Sequence, residues 1–159
     1  MPKQITKRNK LNQLNRNKKT ALVTGASKGI GKAISIRLAE MGINVAVNYN
    51  TSSSQAEDLV KTLQKMGVDS FAIKADVSQL DQVEKMINQV NETWGGIDIL
   101  INNAGIIDDN LLIRMSIEAW DRVIATNLNG TFYCTRAVIR NMIKQRWGRI
   151  INIGSVVGI

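Results

Sequence analysis

Residues 20–41 read TALVTGASKGIGKAISIRLAEM, and this stretch decides the fold. Thr20–Val23 is a short apolar run ending at Thr24-Gly25, the pattern of a buried strand. From Ile30, apolar residues recur at Ala33, Ile34, Leu38 and Met41, a helical spacing, and Gly42 follows as a C-cap. Between strand and helix, Gly25, Gly29 and Gly31 form a G-x-x-x-G-x-G pattern. Gly25 permits a tight turn. Gly29 lets backbone approach a phosphate with no Cβ in the way, and Gly31 allows close helix–sheet contact. The helix N-terminus then offers free N–H groups and a positive dipole end to an anion. A glycine pattern alone also fits an ordinary βα turn, but strand, glycine turn and helix in this order predict dinucleotide binding.

The alternation continues along the chain. Asn44–Tyr49, Ser70–Ala75, Ile97–Ile101 and Arg149–Ile153 read as further strands. A helix capped by Ser53 or Ser54 runs to Met66, with Gly67 closing it. Ser78, with Asp81 three residues on, starts a helix that ends near Trp94, before Gly95-Gly96. Ser116 and Glu118 open a helical region that extends to about Gln145. Strands alternating with long helices imply βαβ units, and strands apolar on both faces imply a covered parallel sheet. The expected fold class is α/β, a doubly wound parallel sheet of the Rossmann type, with its ligand at the carboxyl ends of the strands.

The loops after the strands carry the chemistry. After the second strand, Asn48-Tyr49-Asn50-Thr51 has no acid where NAD-specific folds place one for the ribose hydroxyls. A carboxylate would repel a 2′-phosphate, so its absence removes a block to NADP. Lys28 and Ser27 of the glycine loop, with Asn48, Asn50 and Thr51, are candidates to contact that phosphate, and NADPH is the expected cofactor. After the third strand, Asp76 can accept a hydrogen bond from an adenine amino group or cap the next helix. After the fourth, Asn102-Asn103-Ala104-Gly105 suits backbone lying along a ribose, and equally suits a structural turn.

Composition bounds the rest. The 159 residues, 44% hydrophobic and 21% charged, suit one globular domain. The absence of histidine rules out His-based triads and most zinc sites. The single cysteine, Cys134, builds no disulfide framework and suits a reducing, cytoplasmic setting. No apolar stretch reaches the roughly 18 residues of a membrane span. The net charge of +8 is unevenly placed: residues 1–19 carry seven Lys/Arg and no acid. That stretch is expected to be a solvated, disordered leader before a domain spanning residues 20–159. A nucleic-acid arm and a targeting peptide are the competing readings of it.

Taken together, TGASKGIG (24–31), DV (76–77), NNAG (102–105), NLNG (127–130) and INIGS (151–155) resemble the short-chain dehydrogenase/reductase family. Within it, NYN after the second strand, GIIDDNLLIRMS (105–116) and WGRIINIGSVVG (147–158) are most similar to 3-oxoacyl-(acyl-carrier-protein) reductases. Acetoacetyl-CoA reductases come second. The match runs from about residue 18 to the last residue.

The resemblance implies roles. Gly25, Ser27, Lys28, Gly29, Ile30 and Gly31 would hold the adenosine phosphates and pyrophosphate, and Asp76 and Val77 the adenine. Asn103, Ala104 and Gly105 would flank the ribose. Ser155 would hydrogen-bond the substrate carbonyl, and Asn127 would anchor a relay water through the helix backbone. The substrate would be a 3-oxoacyl thioester on acyl-carrier protein or CoA, reduced in fatty-acid synthesis, and the complete protein a homotetramer. Family members also use a Tyr-x-x-x-Lys motif beyond the serine. The tyrosines here, Tyr49 and Tyr133, are followed at the fourth position by Ser53 and Ala137. The sequence is therefore expected to be an amino-terminal part of such a reductase, its sheet stopping after the fifth strand and its last strand left as an apolar edge. Alone it is expected to be inactive. The competing functions are a non-catalytic dinucleotide-binding module and, less in keeping with the neutral body, a basic-tailed nucleic-acid binder.

Overall fold

The computed structural model describes residues 18–155. The leader expected over residues 1–19 lies, apart from Lys18 and Lys19, outside the described residues. The elements are β1 (Thr20–Val23), α1 (Gly29–Glu40), β2 (Asn44–Tyr49), α2 (Ser53–Lys65), β3 (Ser70–Lys74), α3 (Leu80–Trp94) and β4 (Ile99–Asn102). A 3-10 turn at Leu112–Arg114 leads to α4 (Ile117–Ile124), a π-helical turn (Ala125–Asn129), α5 (Gly130–Lys144) and β5 (Arg149–Asn152).

The five strands form one parallel sheet in the order β3-β2-β1-β4-β5. The chain builds outward from β1 to β3, then returns to place β4 on the other side of β1. The order reverses between β1 and β4, and in sheets of this kind ligands bind at the carboxyl ends of the strands beside such a reversal.

Alternation along each strand sorts the core into two layers. Leu22, Ala46 and Leu100 face one side, where they meet Val83, Met86, Ile87 and Val90 of α3 and Cys134, Val138 and Met142 of α5. Val23, Val45, Val47 and Ile101 face the other, against Ala39 of α1 and Ala56, Leu59 and Leu63 of α2. All four residues of β1 are buried, as the middle of a covered parallel sheet requires. Each fully buried Val or Leu contributes about 1.5–3 kcal/mol before ordering entropy is subtracted. β5 forms an edge, with Arg149 and Ile151 exposed while Ile150 packs on the first layer. No helix among the described residues is long and apolar enough to cross a membrane.

Three helical segments differ from the sequence expectation. Neither Ser53 nor Ser54 caps α2: Ser52 holds the cap position without a side-chain bond, and the Ser53 hydroxyl donates to Glu57 instead. Ser78 does not cap α3, which starts at Leu80, because Asp76 Oδ1 takes both the backbone N–H and the hydroxyl of Ser78 at 2.9 and 2.7 Å. The helical region from Ser116 to Gln145 is not one regular helix, since the π-helical turn interrupts it. Its start is as expected, with the Ser116 hydroxyl accepting the Ala119 N–H.

Burial raises the Cys134 thiol from about 9 to about 12. The folded thiol then stays protonated at pH values where the unfolded one ionises. Cys134 therefore contributes stability that is present below about pH 9 and lost as pH rises toward about 12. Two outcomes are expected. A thiol reagent at about pH 8 labels Cys134 only as fast as the chain unfolds. Replacing Cys134 by Ala flattens the alkaline fall of the denaturation midpoint.

Candidate functional site

The cleft at the switch point has a volume of about 830 Å³. Its walls are the loop after β1, the ends of β2 and β3, the loop after β4, and one side of α4 with the π-helical turn. Gly25, Ser27, Lys28, Asn48, Asn50, Thr51, Asp76, Val77, Asn103, Ala104 and Gly105 all line it. Gly29, Ile30, Gly31, Asn127 and Ser155 do not.

The glycine loop is held by backbone contact. Gly25 sits at φ +59°, and a Cβ there would lie 2.9 Å from the Ala104 Cα, so a side chain would push the β1 and β4 loops apart. A Cβ at Gly31 would meet Asn103 Nδ2 at 2.5 Å and the Gly25 carbonyl oxygen at 2.7 Å. Gly31 is therefore needed for the loop to fold against itself and Asn103, rather than for the helix–sheet contact expected from the sequence. The Gly29 position faces open space.

Side chains complete the fastening. The Thr24 hydroxyl accepts the N–H groups of Asn103 at 2.9 Å and Ala104 at 3.0 Å, and donates to the Ile101 carbonyl at 3.2 Å. Asn103 Nδ2 donates back to the carbonyls of Thr24 (2.8 Å) and Gly25 (3.1 Å). Lys28 takes the N-cap position of α1 with an extended backbone and no side-chain cap, and the first turn of α1 holds no acid. That turn thus brings no anion of its own to its N–H groups, which favours a phosphate there.

The remaining predicted residues divide. Lys28, Asn50 and Thr51 are exposed on the cleft wall. Asn48 is placed differently from expectation. It is 1% exposed, and its carboxamide is spent on the Gly25 N–H and on carbonyls of the β3 end, so it supports the wall and does not offer free donors to a phosphate. Asp76 does not cap α3, whose N-cap is Gln79 with no side-chain bond; its Oδ1 instead fixes the turn before the helix by accepting from Ser78, and the residue also lines the cleft. Val77 is buried beneath α5, where a Cβ on Gly130 would come within 2.8 Å of it. Asn127 lies in the π-helical turn and clamps the loop after β4: its Oδ1 accepts the Ile106 N–H at 2.9 Å and its Nδ2 donates to the Ile106 carbonyl at 3.0 Å. Its own carbonyl accepts from the Thr131 hydroxyl at 2.8 Å. Ser155 follows β5, one strand beyond β4.

Sequence reasoning missed Thr24, and it missed the place of Arg122 on the cleft wall. Thr24 had a signal, a hydroxyl at the last position before the glycine loop. Arg122 lines the cleft and pairs with Asp108, fourteen residues earlier, and neither periodicity nor motif marks that pair.

A family model described as short chain dehydrogenase matches residues 19–159. The chain belongs to the short-chain dehydrogenase family. Curated relatives agree. It is 54% identical over 140 residues to the 3-oxoacyl-[acyl-carrier-protein] reductase FabG of Staphylococcus aureus (strain Mu50), covering 88% of this chain and 57% of that protein. It is 53% identical over 140 residues, with the same coverage, to the protein of that name from Staphylococcus epidermidis (strain RP62A). The 3-oxoacyl-[acyl-carrier-protein] reductase of Synechocystis sp. (strain PCC 6803) is 48% identical over 139 residues, 87% of this chain and 56% of that protein. The chain thus spans a little over half the length of these relatives.

Thr24 tests the fastening of the cleft. Thr24→Val keeps the shape of the side chain but strands two N–H groups, and should cost about 2–4 kcal/mol in denaturant unfolding. Thr24→Ser, which keeps the hydroxyl, should cost less than about 1 kcal/mol on the same measurement.

Proposed function

We propose that this chain carries the NADPH-binding part of a reductase that converts 3-oxoacyl thioesters of acyl-carrier protein or CoA to 3-hydroxyacyl thioesters. The observation that carries the cofactor choice is the wall shared by Lys28, Asn50 and Thr51, with no carboxylate at the end of β2. A 2′-phosphate there meets a cation and hydrogen-bond donors, and no opposing charge from β2. The curated relatives named 3-oxoacyl-[acyl-carrier-protein] reductase support the substrate class.

The cofactor supplies a hydride when bound. The chain's own residues bind and orient. The glycine loop and the N-terminus of α1 (Gly25, Ser27, Gly29, Ile30, Gly31) hold the phosphates. Asp76 and Val77 flank the adenine, and Asn103, Ala104 and Gly105 the ribose. Ser155 donates a hydrogen bond to the substrate ketone oxygen. Asn127 holds the loop after β4 and presents its backbone carbonyl to a relay water. Reduction also needs an acid that protonates the ketone oxygen. Neither Tyr49 nor Tyr133 is followed four residues later by lysine, and Tyr49, the one at the cleft, lies at the end of β2 among the residues placed at the adenosine. This favours a second reading for the 159-residue polypeptide by itself: it binds dinucleotide and does not turn substrate over.

Titration of the chain with NADPH and NADH, followed by an acetoacetyl-CoA assay, tests both. Binding with a preference for NADPH and no turnover is expected. Lys28→Glu should lower the NADPH-to-NADH affinity ratio about tenfold or more, the scale of one lost charge-assisted hydrogen bond. An unchanged ratio would remove Lys28 from the 2′-phosphate site, and turnover by the wild-type chain would overturn the second reading.

A further inference from the structure

Asn48 is the next-to-last residue of β2 and is 1% exposed. Its Oδ1 accepts the Gly25 N–H at 3.2 Å. Its Nδ2 lies 3.0 Å from the Ala75 carbonyl oxygen, 3.3 Å from that of Ile73 and 3.4 Å from that of Tyr49. Its own backbone carbonyl accepts the Ala26 N–H at 2.8 Å. Exchanging oxygen and nitrogen in this carboxamide would set an NH₂ against an N–H and an oxygen against carbonyls, so the surroundings dictate its orientation.

The two ends of the carboxamide reach different loops. Gly25 opens the glycine loop after β1. Ala75 directly precedes Asp76-Val77 at the end of β3. The β1–β2 register ends at Val23–Val47 and the β2–β3 register at Tyr49–Lys74, so both loops leave the sheet beside this one side chain. A planar group with an acceptor on one end and donors on the other is what the two loops require. A carboxylate cannot donate, and an aliphatic side chain can do neither.

We infer that Asn48 is a positioning residue that sets the spacing between the phosphate-holding and adenine-holding loops before ligand arrives. This rests on the dinucleotide reading of the cleft. A ligand that spans both loops gains from their fixed spacing, because the ordering cost is met in the free protein. A ligand that touches one loop depends only on the tie to that loop.

Two variants of the 159-residue chain separate the two ties. Asn48→Asp keeps an acceptor for Gly25 but turns a carboxylate toward the carbonyls of Ile73 and Ala75. Asn48→Ala loses both ends. The probes are NADP⁺, adenosine and inorganic pyrophosphate, titrated by calorimetry or NMR. Asn48→Asp should weaken adenosine, which is uncharged, about tenfold or more, the scale of one or two hydrogen bonds lost at one loop, and should weaken NADP⁺ and pyrophosphate as well, because the new carboxylate lies beside the N-terminus that attracts their phosphates. Lowering the pH from about 8 to about 6 should recover its NADP⁺ affinity relative to wild type, because the protonated acid donates again and its buried site favours the neutral form. Asn48→Ala should weaken all three probes and show no recovery. General destabilisation would weaken all three probes in both variants and recover in neither. That result, or NADP⁺ affinity within about twofold of wild type in both variants, overturns the proposal.

Amide hydrogen exchange of the unliganded wild type needs neither variant nor ligand. The Gly25 N–H should exchange at least about tenfold slower than an open amide, and an unprotected Gly25 overturns the tie. If wild type binds none of the three probes, the dinucleotide reading fails, and the Gly25 measurement still decides whether Asn48 holds the loop.

Discussion

Two loops of this protein touch at backbone distance, and the cleft exists because they do. The loop after β1 can approach the loop after β4 only where Gly25 and Gly31 leave no Cβ between them. Once they are that close, the Thr24 hydroxyl meets the N–H groups of Asn103 and Ala104, and Asn103 reaches back to two carbonyls of the glycine loop. Each such bond is worth about 1 kcal/mol net, but leaving its buried partner unmet costs about 1–3 kcal/mol. The contact is thus favoured less by what it adds than by what its loss would strand.

The short strand β1 is tied by side chains at both ends, with different chemistry at each. Away from the cleft, buried Asp98 accepts the Thr20 N–H at 3.0 Å and the Thr20 hydroxyl at 3.2 Å, with Lys19 3.6 Å away and stacked 3.8 Å over the Trp147 ring. At the cleft end the fasteners are a hydroxyl and two carboxamides, from Thr24, Asn103 and Asn48. Neutral groups do this work without setting a negative charge beside the N-terminus of α1. A carboxylate in the same place would compete with any anion that terminus attracts.

The segment from α4 to α5 follows other constraints. Asn127 makes both of its side-chain bonds to Ile106, and the π-helical turn lies where that clamp forms. Wider helical turns of this kind recur at functional positions because they re-aim backbone and side chains without ending the helix. Ile117, Trp120, Leu128 and Phe132 of the same segment are exposed among the described residues. Their helical spacing reads as an inward face, yet the sheet lies against other residues of α5, namely Cys134, Val138 and Met142.

Sequence alone settled what depends on local pattern. Apolar runs and helical spacing placed five strands and their helices to within a residue or two, since each element buries its apolar face according to its own period. The glycine spacing marked the loop that packs at backbone distance on the loop after β4, because missing Cβ atoms are visible in a sequence. What it left open were choices between partners far apart in the chain. Asn48 read as a ligand contact until Gly25, twenty-three residues before it, and Ala75, twenty-seven after it, were seen to take its carboxamide. Gly31 could be assigned to close packing, but only the folded chain showed that Asn103 was what it packed against. A side chain's hydrogen bonds go to whatever the fold brings within about 3 Å. Residue type states how many bonds a group can make, and tertiary structure decides with whom.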